Sequence, residues 1–203
     1  VKLYRPATVA VGVLFVLLGG LTRLATPEQV FEEQNLEVVS GTIGEALRFA
    51  GGDSTVTVTR MEFAKSVVEE DDSDDGEPLE TNGVYVALEW DTVRGVKKPD
   101  NIAATLTADG GTVYLPIEGP GDSGIDFPTA GFAKTGAVVF EVNPTDLKGL
   151  TLNGRPSGML FNVLNSYVEV DLGIPSEDVA QQLVDGAEDH YVLPQPVTRV
   201  ASS

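Results

Sequence analysis

The sequence contains no cysteine, which removes disulfides, thiolate nucleophiles and cysteine metal sites from consideration. It contains one histidine, His190, so no second imidazole is available to complete a metal shell. Basic residues are also scarce: 13 Lys and Arg stand against 31 Asp and Glu, a net charge of −18 over 203 residues. The imbalance is uneven along the chain. Lys2, Arg5 and Arg23 fall in the first 23 residues, where there is no acid, and the remainder carries 10 basic and 31 acidic groups, a net of 10 − 31 = −21. A domain so charged repels nucleic acid and anionic headgroups, so nucleic acid is not an expected partner. Glycine spacing provides no phosphate loop, and no cofactor is expected.

What is present first is an uncharged run, PATVAVGVLFVLLGGLT, from Pro6 to Thr22. Its 17 residues, at about 1.5 Å each, nearly match a bilayer core of about 30 Å, and Leu24 and Ala25 extend it if Arg23 snorkels. A cleaved signal peptide has a shorter apolar run and small residues at −3 and −1; with Ala25 at −1, Arg23 occupies −3. The expectation is an uncleaved single-pass anchor within residues 1–25, touching the lipid bilayer through residues 6–25. Lys2 and Arg5 favour a cytoplasmic N-terminus, which places the acidic domain outside. Within the anchor, Thr8, Gly12, Phe15 and Gly19 share one helical stripe, a candidate helix-docking face of small side chains with one aromatic knob. Other membrane protein subunits are the expected partners.

Residues 26–52 read as a juxtamembrane helix and linker. Thr26, Pro27 and Gln29 suit an N-cap, a first helical position and a capping box, with the helix running to about Gln34. Gly41, Gly44, Gly51 and Gly52 mark the linker, which holds a poorly defined EALRFA turn. Residues 53–173 read as a β-sandwich, because the periodicity changes to two. Val56 and Val58 alternate, the phase shifts to Met61 and Phe63, and a bulge is expected near Arg60. Val84, Val86, Leu88 and Trp90 share one face of the next strand, with Tyr85, Ala87 and Glu89 opposite. Trp90 is expected in the core, given its aliphatic neighbours in phase. Further strands are expected at Ile102–Thr107, Thr112–Ile117, Ala137–Val142, Met159–Val163 and Tyr167–Leu172, with turns at Asn82-Gly83, Asp109-Gly110-Gly111 and Asn153-Gly154. Residues 174–203 read as a short helix, capped by Ser176 and ending at Gly186, followed by an extended tail. From Tyr191 that tail could add to a neighbouring subunit or to a sheet edge.

Three motifs resemble chemistry. VVEEDDSDDGEPLETNG places Asp71, Ser73, Asp75 and Gly76 at positions 1, 3, 5 and 6 of a calcium loop, but Asn82 stands where a bidentate Glu must close it. Like charges repel, so the segment reads as a solvated hairpin loop. Gly121-Asp122-Ser123-Gly124 copies the surroundings of a serine protease nucleophile, yet the single histidine follows it in sequence and Ile125 breaks the hydrolase elbow. His190, beside Glu188 and Asp189, reads as an exposed tail residue. No catalytic, cofactor-binding or metal residue is assigned.

The order NGVYVALEWDTVRG, LTADGGTVYLP and TAGFAKTGAVVFEVNPTDLKGLTL resembles the telokin-like, immunoglobulin-type domains of Gram-positive and actinobacterial membrane-anchored surface proteins. The resemblance covers roughly residues 53 to 172 and departs at the insertion Glu69 to Glu80 and beyond Ile174. It implies an immunoglobulin-like sandwich and an extracytoplasmic interaction module without a shared catalytic centre. The function expected is a non-catalytic accessory or scaffolding subunit of a membrane protein complex. A free-standing envelope-binding or sensor domain is the alternative, and a hydrolase a more distant one.

Overall fold

A computed structural model describes residues 38–49, 53–69, 78–97, 99, 101–118, 124–157 and 167–201. The fold is organised by a long hairpin, β3 (Ser54–Glu69) and β4 (Leu79–Val93). Valine and threonine dominate its arms, and their branched side chains suit an extended, pleated backbone. The bulge expected near Arg60 is present: the register slips between Val58 and Arg60, which returns Phe63 to the face already occupied by Val56 and Val58. A second slip lies between Ala64 and Ser66. On β4, Val84, Val86, Leu88 and Trp90 line the core at 2% exposure or less, as their alternation predicts.

The other strands are β1 (Val38–Thr42), β2 (Leu47–Phe49), β5 (Ile102–Thr107), β6 (Val113–Tyr114), β7 (Phe132–Val142), β8 (Thr151–Pro156), β9 (Tyr167–Asp171), β10 (Tyr191–Leu193) and β11 (Val197–Val200). They form two sheets. One has the order β1-β9-β8-β5-β6; the other runs β10-β3-β4-β7-β11, with β2 added beside β3. The chain is therefore mainly β, a two-sheet sandwich. Val58, Leu88 and Phe140 from one sheet meet Ile102, Leu106 and Leu152 from the other in a single core. Helix α1 (Glu177–Asp185) closes one end. Ser176 Oγ accepts from the Val179 N–H at 3.3 Å, Ala180 is buried, and the helix stops at Gly186, as expected.

Several expectations are corrected. The stretch expected as linker supplies β1, parallel to β9, and β2, antiparallel to β3; Leu47 and Phe49 of the supposed EALRFA turn are core residues. Asn153-Gly154 is not a turn but the middle of β8, and a Cβ at Gly154 would sit 2.7 Å from both Ile102 Cγ2 and Val168 Cγ2. Asn82-Gly83 likewise lies inside β4, where a Cβ on Gly83 would come within 2.5 Å of the Val142 carbonyl oxygen. Both glycines answer to close packing rather than to a reversal of the chain. The Asp109-Gly110-Gly111 turn is real: Ala108 and Thr112 bracket it, and Gly111 takes φ +84°. The predicted strand Met159–Val163 falls outside the described residues, as do the anchor, its docking face Thr8, Gly12, Phe15 and Gly19, and the helix after Thr26. Among the described residues, no helix is long and apolar enough to cross a membrane.

Tyr85 and Ala87 lie opposite the core face of β4, as the alternation predicts, and that outward face is itself covered: they join Ala64, Val67, Ala137, Val139 and Tyr191 in a second buried cluster. The tail makes this cluster. It enters at the β3 edge as β10, parallel to β3, and finishes at the β7 edge as β11, antiparallel to β7. Residues 194–196 connect β10 to β11, and Leu193 packs on the cluster. The tail adds to the edges of its own sheet.

Candidate functional site

Most of the residues singled out from the sequence lie outside the described residues. Residues 70–77 of the acidic loop and residues 121–123 of the Gly-Asp-Ser-Gly motif lie outside the described residues. The acidic loop does join the antiparallel neighbours β3 and β4, so it connects a hairpin as expected. Trp90 is a core residue, 1% exposed.

His190 has a neighbour that sequence reasoning did not supply. Its Nδ1 lies 2.6 Å from Ser66 Oγ, which also donates to the Asp189 carbonyl oxygen at 2.9 Å. A serine beside a histidine invites a hydrolytic reading, but nucleophilic catalysis needs an accessible hydroxyl and a carboxylate orienting the base. Ser66 is 3% exposed, and the Asp189 carboxylate turns to Lys65 Nζ at 2.8 Å instead of the ring. The arrangement is an anchor that fixes the start of β10 to β3. Main-chain bonds extend it: Lys65 N–H donates to Glu188 O at 2.9 Å, and Glu188 N–H to Phe63 O at 2.9 Å.

The hydrogen bond and charge of Lys65 hold the Asp189 carboxyl below its usual range. A depressed carboxylate contributes to the folded state above its unfolded value and ceases to contribute as pH falls through its folded value. The β10 amides should therefore lose hydrogen-exchange protection on acidification, after correction for intrinsic rates. Lys65→Met should flatten that dependence; an unaltered acid limb in the variant would contradict the anchor. Both side chains are largely exposed, so the effect is local to the tail.

The densest polar group lies at the corner where β4, β7 and β11 meet. Asp91 pairs with Arg199 Nη2, and Asp126 pairs with Lys134 Nζ at 2.9 Å. Arg94 Nη1 donates to Pro128 O at 3.2 Å. Thr92, fully buried, donates to Asp126 O at 2.8 Å and ties this loop to the sheet. Lys134 Nζ stands 5.9 Å from the Trp90 ring centroid. Four buried atoms of this corner have no hydrogen-bond partner: Trp90 Nε1, Asp91 Oδ1, Arg94 Nε and Asp126 Oδ1. Beside it opens a cleft of about 290 Å³, lined in part by Asn101, Gly124, Asp126 and Ser157, and floored by the bridged pair Ile102 and Ile125. Trp90 and Asp91 are successive residues of β4 and face opposite sides of the sheet, so these buried atoms do not make one recognition surface, and no nucleophile is among them. Nothing local in the sequence marks the corner, because residues 91, 94, 126, 134 and 199 meet only through the strand order.

No family model matches the chain, and no curated protein matches it. Among solved structures, the chain is similar to an uncharacterized β-sandwich protein from Clostridium difficile 630, whose crystal structure was determined at 1.90 Å resolution. The two share 16% sequence identity with a TM-score of 0.40, and the match covers 66% of this chain and 93% of that one. The likeness is to the β-sandwich fold alone.

Proposed function

We propose that this chain is a non-catalytic accessory or scaffolding subunit of a membrane protein complex, tethered by a helix within residues 1–25 and presenting its sandwich outside the cytoplasm. The observation that carries the reading is the uncharged run Pro6–Thr22, flanked by Lys2, Arg5 and Arg23, ahead of residues 24–203, whose net charge is 10 − 31 = −21. The finer kinship belongs to the same proposal: the domain is of the telokin-like, immunoglobulin type found on actinobacterial and other Gram-positive surface proteins. The stripe Thr8, Gly12, Phe15 and Gly19 favours a docked subunit over a free-standing sensor. Lipid solvates leucine as well as a neighbouring helix does, so small residues along one face suit close helix approach.

Purification in mild detergent separates the readings. A docked subunit recovers other membrane proteins in fixed ratio, and replacing Gly12 and Gly19 together by Leu should preserve insertion while releasing them. Recovery of the wild-type protein alone would favour an envelope-binding or sensor role. Full co-purification of the double variant would leave the helix only a tether. A reporter fused after Ser203 should function only if it works outside the cytoplasm, and a domain protected from protease added to spheroplasts would overturn the topology.

A further inference from the structure

Among the described residues the two sheets have five edge strands, β1, β2, β6, β10 and β11, of which β2 is three residues long. β6 is two residues long and β10 three. At the end of β1, the Thr42 N–H donates to Glu45 Oε2 at 3.3 Å. β11 is different. All four of its residues are exposed, Val197 at 55% and Val200 at 72%, and Phe132, the register partner of Val200, is 38% exposed. Ala201 N–H donates to Gly131 O at 3.1 Å, which sets the phase of the ladder: Arg199 faces Ala133 within it, and the main-chain N–H and C=O of Thr198 and Val200 point away from β7. Among the described residues, no strand pairs with that outer edge. An exposed strand with valine side chains and free main-chain groups is a template for another strand.

Charge decides which strand. The chain as a whole is strongly acidic, so two copies repel over most of their surface. The β11 corner is the exception. Residues 191–203, YVLPQPVTRVASS, contain no acid, and the corner sets Arg94, Lys134 and Arg199 against only Asp91 and Asp126, with Arg199 and Lys134 neutralised in ion pairs. A basic partner would be drawn to the acidic surface elsewhere; at this edge, where only Arg94 is left uncompensated, a like copy meets the least repulsion. Antiparallel pairing of a strand with its own copy is self-complementary and closes on a twofold axis.

We infer that β11 is a homodimer edge, joining the five-strand path of one copy to that of a second copy in a continuous sheet. The inference is independent of the membrane partners proposed above. The test is the assembly mass of the full chain in mild detergent, by sedimentation. The wild-type chain should be a dimer. Thr198→Pro removes an N–H that faces away from β7, so the internal ladder is kept while the new one is blocked; it should sediment as a monomer with an unchanged unfolding midpoint. Val200→Lys keeps every main-chain donor but places like charges near the twofold, and should also be monomeric. A monomeric wild-type chain, or a dimer unaffected by both variants, would overturn the inference. Capture of a different protein by this edge while the chain alone stays monomeric would overturn it as well.

Discussion

Trp90→Ala is expected to lower the unfolding free energy by about 3–5 kcal/mol. The indole is 1% exposed and lies between Val58 on β3 and Gly136 on β7. Gly136, its register partner on β7, carries no side chain to fill the space after truncation. The cost therefore contains a cavity contribution as well as lost burial. Trp90→Phe separates the ring from its N–H. The Nε1 atom is buried without a hydrogen-bond partner, so deleting it removes an unsatisfied donor and keeps most of the apolar contact. The Phe variant should lose less than half of what the Ala variant loses. Denaturant unfolding followed by circular dichroism measures both, since the sole tryptophan is absent from each variant. Equal losses would mean that the indole N–H has a partner in solution.

How much of this architecture could be read in advance follows from the range of each signal. The span of β5, the core face of β4 and the bulge near Arg60 were legible because alternation and its change of phase are written within ten residues. The strand β2 was not, since a three-residue strand offers only Leu47 and Phe49 as a pattern. Gly83 and Gly154 misled for a physical reason: a glycine demanded by a close contact looks the same in sequence as one demanded by a turn. The second cluster was invisible from β4 alone, because an outward tyrosine and alanine become buried only if something covers them. The cover comes from Tyr191, 102 positions after the Glu89 that its hydroxyl meets. The polar corner was hidden in the same way. Arg199 reaches Asp91 only because β7 brings β11 and β4 to opposite sides of itself.

Removing the tail should therefore do more than trim a loose end. With the chain stopped after Glu188, the outer face of Ala64, Tyr85, Ala87, Ala137 and Val139 loses Tyr191 and Leu193, and the sheet loses β10 and β11. Tyr191 is 3% exposed, and burial of one such side chain is worth about 2–3 kcal/mol. Tyr191→Ala should lose about that much, and the truncated chain more, with binding of a hydrophobic dye to the bared face. The hydroxyl supplies a second readout. Burial, followed by the charge and hydrogen bond of Glu89, raises the Tyr191 ionisation well above its ordinary value. The folded state thus favours the neutral phenol, a contribution fully present below the unfolded value of about 10 and lost as pH rises beyond it. The unfolding midpoint of the wild-type chain should fall steeply across that range. Tyr191→Phe keeps the ring and deletes the ionisable group, so its alkaline limb should be shallower, the remainder including Tyr85, which burial and Glu141 raise in the same direction, and Tyr114, which burial and the Asp146 hydrogen bond raise. If Tyr191→Phe declined with alkali as steeply as the wild type, or the truncated chain unfolded at the wild-type midpoint, the tail would not be the cover of this sheet.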